Sequence, residues 1–266
     1  MQSPRILLFL SLLSALPAAE KPAILAIFAH PDDEQTVGGL LAKYAKAGHP
    51  VYLATITSGQ KGATKHAGIP AGEKLGAARE EETRCAAKAL GIRDPILLGF
   101  EDQGISAAPA ADQARDRLRE IIDQVKPAVV ITWGPDGATG HADHRAASSL
   151  ATEAFQQRRS LAHRPRKLYY VAWPESRFTK PVPPFERRPP GLVADEFITT
   201  EVNARAEMQA AREALACHKT QYTPAQAQAM HEISAKTMEG RIYLRLALSD
   251  VRRRAARERD IFEGLR

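Results

Sequence analysis

Cysteine is scarce. Two cysteines in 266 residues exclude a disulfide-rich scaffold and a zinc site built from four cysteines. The 17 glycines and 18 prolines are too few for a collagen-like or low-complexity chain. Aromatic residues make up only 6% and are not interleaved with the basic clusters, which argues against a nucleic-acid platform. No phosphate loop is present, since Gly59-Gln60-Lys61-Gly62 lacks the required spacing, and Gly38-Gly39 is not a dinucleotide fingerprint. The absence of G-x-S-x-G argues against a serine hydrolase. There is no internal repeat. The one long apolar run, residues 6–16, is too short for an ordinary membrane span.

What is there suits one large α/β domain, long enough to bury a core without staples. Lys+Arg 37 against Asp+Glu 31 gives a net charge of +6, which leaves nucleic acid, anionic membrane or an acidic ligand open. The excess gathers at Arg158-Arg159, Arg164-Pro165-Arg166-Lys167, Arg187-Arg188 and Arg252-Arg253-Arg254, and reads as solvated surface. Arg5, the apolar run and Leu16-Pro17-Ala18-Ala19 read as an export signal over residues 1–19. The expectation is then a periplasmic or secreted protein of residues 20–266, with no stable membrane span. Cys85 and Cys217 are able to pair in such a compartment. Cys85, mid-helix, reads as buried packing rather than a nucleophile.

After residue 22, short apolar runs alternate with amphipathic stretches. Residues 23–29, 51–57, 95–98, 128–133 and 168–173 read as strands; 36–47, 73–90, 110–125 and 142–157 read as helices. Gly48 and Gly91 close two helices and Pro127 stops a third. This order predicts an α/β fold with a mostly parallel sheet and helices on both faces. Residues 174–191 hold six prolines and read as irregular surface. Residues 193–200 read as a further strand at an edge, and 201–219 and 225–262 as helices.

Two short clusters carry the chemistry. Ala29-His30-Pro31-Asp32-Asp33-Glu34 begins where the first strand ends, and open parallel sheets bind ligands at the carboxyl ends of strands. Ionisable side chains packed this tightly repel one another unless a cation joins them. The competing reading is an acidic helix N-terminus. Gly140-His141-Ala142-Asp143-His144 follows the strand 128–133, and its two histidines, three apart, can reach one point. Alone it could be a polar loop. If those two strands are neighbours, the clusters face each other across the switch-point crevice. His, Asp and His then give three ligands and leave a position for water, as catalytic zinc sites do. The same ligand types also suit Fe(II).

AHPDDE followed by GHADH resembles the LmbE/PIG-L-type metal-dependent de-N-acetylases, which act on N-acetylglucosaminyl lipids, glycosylated thiol precursors and chitooligosaccharides. The likeness extends to Thr57-Ser58-Gly59, Arg79-x-x-Glu82, Asp102 and His218-Lys219-Thr220-Gln221. It implies a Rossmann-like three-layer αβα sandwich. It also implies Zn2+, or another divalent metal such as Fe2+, held by His30, Asp33 and His144. Asp32 would be the general base for water attack on an N-acetyl amide, and His141 would stabilise or protonate. Asp143 would orient a histidine. Arg79 and Asp102 would contact a small-molecule or glycoconjugate substrate of N-acetylglucosamine type. Residues 60–72 match no assignable loop, and Ala142 stands where many relatives have proline. His49 reads as a turn residue, His66, His163 and His231 as exposed, and His218 either lines the site or ends a helix. A 2-His-1-carboxylate iron enzyme and a non-catalytic sugar-binding module are the alternatives. The parallel α/β pattern and the complete set of ligands, base and second histidine argue for hydrolysis.

Overall fold

The computed structural model describes residues 21–157, 162–179, 191–251 and 256–265. Residues 1–19 lie outside the described residues, as do the arginine pairs at 158–159 and 187–188 and the run 252–254. Strand β1 (Ala23–Phe28, AILAIF) is buried at every position, the signature of a strand covered on both faces. It pairs in parallel with β2 (Val51–Thr57) and with β4 (Pro127–Thr132). β3 (Ile96–Phe100) extends the sheet beyond β2 and β5 (Lys167–Val171) beyond β4, both in parallel.

The helices between the strands follow the apolar spacing of the sequence. They are α1 (Gly38–Lys46), α2 (Glu73–Leu90), α3 (Ala110–Val125) and α4 (Ala142–Gln156). α3 presents Ala114, Leu118, Ile121 and Ile122 to the core and packs against α4. α1 and α2 pack with each other and with α5 (Met208–Cys217), giving a mixed α/β fold with a flanked, mostly parallel sheet.

The last third departs from the expected helices. α6 (Pro224–Met238) begins at a Thr223–Gln226 capping box and ends at Glu239 and Gly240, both with positive φ. Residues 241–249 then form a strand, not a continued helix. In RIYLRLALS, Ile242, Leu244, Leu246 and Leu248 recur every second residue, the period of a strand. Two short strands precede it in the chain, β6 (Trp173–Pro174) and β7 (Leu192–Val193), which pair with each other in a small separate ladder. The edge strand expected around 193–200 falls later, as β8 (Thr200–Asn203). β9 (Arg241–Ser249) runs antiparallel to β5 and β8, and the full order is β3-β2-β1-β4-β5-β9-β8.

Buried polar contacts tie this end to the sheet, and a disulfide ties it to α2. Lys167 Nζ lies 2.8 Å from Glu258 Oε1 in a fully buried pair, and Thr200 donates to Glu258 Oε2 at 3.0 Å. Cys85 of α2 and Cys217, the last residue of α5, are joined in a disulfide.

Candidate active site

The neighbouring pair β1 and β4 makes the crevice. The chain leaves β1 for β2 and β3 on one side, then returns to β4 on the other, so both loops after these strands open at the same place. After β1 the backbone turns sharply at Asp32, with φ 90°, a left-handed conformation that aspartate tolerates better than most residues. The turn sends two adjacent carboxylates to different partners. Asp33 folds back on the strand end, where Oδ2 accepts from Ala29 N, His30 N and Trp133 Nε1, each at 3.0 Å. Asp32 instead meets Arg79 Nη2 at 3.3 Å and accepts from the Tyr222 hydroxyl at 3.0 Å.

His144 Nε2 lies 3.1 Å from Asp33 Oδ1 and 3.2 Å from His30 Nδ1. His30 Nδ1 is 3.8 Å from Asp33 Oδ2. A tetrahedral ion with bonds of ~2.1 Å sets its ligand atoms ~3.4 Å apart; the His144–His30 spacing is of that size, while the two Asp33 spacings belong to different carboxylate oxygens. His144 Nδ1 faces the Gly137 carbonyl at 3.0 Å and Thr139 Oγ1 at 3.1 Å, partners that hold the ring with Nε2 turned to the cluster. Trp133 stacks on the same ring, centroids 4.5 Å apart. The other nitrogen of His30 sits 3.2 Å from Asp102 Oδ1 and 3.4 Å from Asp143 Oδ2. His30, His141 and His144 form one group able to hold a cation, and His30, Asp102 and Asp143 form a second.

Negative charge dominates this small volume. Burial alone would lower the His30 pKa, but Asp102, Asp143 and Asp33 outweigh it and push it up to about 10. Burial works to raise Asp33, yet His144 and His30 hold its carboxyl far below the usual range. Asp32 moves the other way: burial raises it, and Arg79 only partly opposes. His141 is lowered, first by burial and then by the facing His30 and His144. His141 caps α4, and its Nδ1 accepts from Asp143 N at 3.2 Å, so the ring carries its proton on Nε2 when neutral.

The remaining expected residues are also gathered here. Asp102 Oδ2 accepts from Lys61 N at 3.1 Å, which brings the start of the unassigned loop 60–72 to the site. Arg79 is buried and donates to the carbonyls of Gly59 at 2.7 Å and Pro31 at 2.6 Å as well as to Asp32. Gly59 is required twice over: φ is +62°, and a Cβ would stand 2.3 Å from Arg79 Nη1.

Several site residues were not expected from the sequence. Glu34 is buried and meets His218 Nε2 at 2.6 Å; His218 is itself fully buried and caps the C-terminus of α5, behind the site and not on its lining. Tyr222 contacts Asp32, and Trp133 contacts Asp33. The loop 217–222 is pinned to α2 by the Cys85 disulfide and by Thr220, whose N and Oγ1 both donate to Glu82 at 2.7 Å. Arg79, Glu82 and Cys85, three apart on α2, were the available signal for a shared face. His163 and His231, expected to be exposed, are half-buried, and His231 lines a cavity of about 560 Å³ that opens over the cluster.

Residues 25–155 match the family model described as PIG-L: GlcNAc-PI de-N-acetylase. A 1D-myo-inositol 2-acetamido-2-deoxy-alpha-D-glucopyranoside deacetylase of Thermomonospora curvata is 33% identical, over 74% of this chain and 80% of that protein. The chain belongs to the PIG-L family. The Rhodococcus erythropolis enzyme of the same name is 30% identical over 93% of this chain and 99% of its own length. An N,N'-diacetylchitobiose deacetylase from Pyrococcus horikoshii shares the fold, with a TM-score of 0.66 at 18% identity over 85% of this chain and 83% of that one. The named relatives are deacetylases, and this PIG-L protein is an enzyme of the de-N-acetylase class. One expectation is corrected by these matches. The chain aligns with the R. erythropolis deacetylase over 99% of that protein, and the periplasmic or secreted location read from residues 1–19 is withdrawn. A single arginine before a short apolar run was too weak a pattern to carry a location.

Proposed function

We propose that this PIG-L protein is a zinc-dependent hydrolase that removes the N-acetyl group from an N-acetylglucosamine-type amino sugar or glycoconjugate. The observation that carries the reading is the triangle of His30, Asp33 and His144, with Asp32 held beside it by Arg79 and Tyr222. His30, Asp33 and His144 would hold the metal. When bound, zinc supplies a Lewis acid that polarises the amide carbonyl and lowers the pKa of water.

The protein's own groups do the rest. Asp32 takes the proton of the attacking water on a carboxylate oxygen. His141 donates from Nε2 to the carbonyl oxygen as negative charge develops there. Asp32 returns its proton to the leaving nitrogen, so the C–N bond breaks to give acetate and an amine. Asp102 and Asp143 hold His30, and Arg79 with Asp102 lines the substrate side. The inositol-sugar substrate named for the relatives is the first compound to try. Acetate release from it and from simpler N-acetyl sugars, abolished by chelator and restored by zinc, is the expected result. No acetate from any of them overturns the reading. Iron in the purified protein with oxygen consumption would favour the iron alternative.

A further inference from the structure

Behind the cluster lies a closed ring of hydrogen bonds that the hydrolysis scheme leaves unused. Glu34 Oε2 accepts from Asp32 N at 3.1 Å, and Glu34 Oε1 meets His218 Nε2 at 2.6 Å. The His218 carbonyl accepts from Tyr222 N at 2.9 Å. The Tyr222 hydroxyl then donates to Asp32 Oδ2 at 3.0 Å, which returns to the starting residue. Asp32 is thus gripped at its backbone N–H and at its carboxylate, by two arms that meet at His218.

The direction of each bond follows from the groups. A carboxylate only accepts, so Asp32 N and His218 Nε2 both donate to Glu34. Gln35 Nε2 donates to the Tyr222 oxygen at 3.0 Å, which leaves the tyrosine proton for Asp32. His218 is itself anchored on both sides. Cys217 is bonded to Cys85, and Thr220 donates twice to Glu82, both on the helix that carries Arg79.

Two observations separate this ring from plain core packing. Asp32 holds φ 90°, and such a conformation persists only where the surroundings over-determine it. The Glu34 carboxylate on its N–H is one such hold. Glu34 and His218 are also 1% and 0% exposed. A buried pair of this kind is commonly no more stable than two apolar side chains of similar volume, so stability alone does not call for it. Two apolar side chains could not accept from Asp32 N. Among the described residues, those lining the cavity include Asp32 and Tyr222 but neither Glu34 nor His218.

We propose that Glu34 and His218 are positioning residues for the general base, fixing the backbone and the carboxylate of Asp32 together through this ring. The proposal rests on the de-N-acetylase reading, in which Asp32 is that base. Neither residue touches the substrate; both act through Asp32.

The test uses the zinc-loaded full chain. Glu34→Leu alone leaves a buried histidine without its partner. The disrupting variant is therefore the double Glu34→Leu, His218→Leu, which removes both partners and should still fold. Its kcat on an N-acetyl sugar should fall roughly ten- to hundredfold, with KM and zinc content little changed, because only the aim of the base is lost. Glu34→Gln is the conservative control. Its amide oxygen accepts from Asp32 N and its NH2 donates to the other tautomer of His218, so kcat should stay within about threefold of wild type. Tyr222→Phe should cost much less in the double variant than in wild type, since the ring is already open. Amide hydrogen exchange reads the ring without turnover. Asp32 N–H and Tyr222 N–H should exchange at least about tenfold faster in the double variant and keep their protection in Glu34→Gln. An unchanged kcat in the folded double variant overturns the proposal, as does an equal loss in Glu34→Gln. Multiplicative losses with Tyr222→Phe would show two independent holds and overturn the ring. If wild type releases acetate from no N-acetyl sugar, the de-N-acetylase reading fails. Faster exchange at Asp32 in the double variant then still upholds the ring, and unchanged exchange overturns it.

Discussion

The Tyr222 hydroxyl donates to Asp32 Oδ2 at 3.0 Å and accepts from Gln35 Nε2 at 3.0 Å. Arg79 occupies the other Asp32 oxygen at 3.3 Å. A half-buried carboxylate, the base of the proposed reaction, is thus held from both sides. Tyr222→Phe keeps the ring and removes one of these holds. The expected effect is a fall in kcat of about tenfold with KM little changed, since one charge-assisted hydrogen bond is worth ~1.5–3 kcal/mol. Steady-state kinetics on the preferred N-acetyl sugar checks it. An unchanged kcat would mean that Tyr222 serves packing alone.

Asp32→Asn is the sharper test of the base. Asparagine also tolerates the left-handed backbone at this position, so the turn that aims Asp33 should survive. The variant should retain zinc by elemental analysis and lose turnover by ~10²–10⁴, the usual worth of general-base catalysis. Near-wild-type turnover would remove Asp32 from the base role.

Much of this arrangement was legible in the sequence, for identifiable reasons. β2, α2 and α3 begin and end at the residues expected, because each carries its own period and its own stop at Gly91 or Pro127. The meeting of His30, Asp33 and His144 followed from adjacency of β1 and β4, which strand order in doubly wound sheets implies. β9 was hidden because 241–249 sits among arginine-rich stretches that mimic a charged helix face. The Glu34–His218 and Asp32–Tyr222 contacts span more than 180 residues and depend on how α5 docks on α2, which no local pattern encodes.

On the proposed reading, metal affinity should respond to partners beyond His30, Asp33 and His144. His144→Ala is expected to abolish zinc binding. Trp133→Phe keeps the stacked ring against His144 but removes the indole N–H that holds Asp33 Oδ2 at 3.0 Å. Loss of such a supporting bond typically costs ~10–100-fold in metal affinity. Competition with a fluorescent zinc chelator measures it. Equal affinity in Trp133→Phe would show that the two backbone N–H groups on Asp33 suffice.

His218 gives a pH signature in stability. It is fully buried, and burial works against its charged form, but the Glu34 carboxylate at 2.6 Å outweighs this, with Asp32 and Glu82 adding to it, and raises its pKa above the ordinary 6.5. The unfolded chain titrates near that ordinary value, so the folded state binds the proton more tightly. The contribution of the pair is therefore fully present below about pH 6.5 and declines as pH rises through the folded-state value. His218→Ala should cost ~3–5 kcal/mol at low pH, because it leaves Glu34 buried without its partner. His218→Gln can keep a neutral hydrogen bond to Glu34 and should lose the pH dependence with less of the stability. Urea unfolding of wild type and His218→Gln from pH 6 to pH 9 separates the two effects. Wild type should lose stability over that range more steeply than the variant, and parallel curves would show that His218 is neutral in the folded protein.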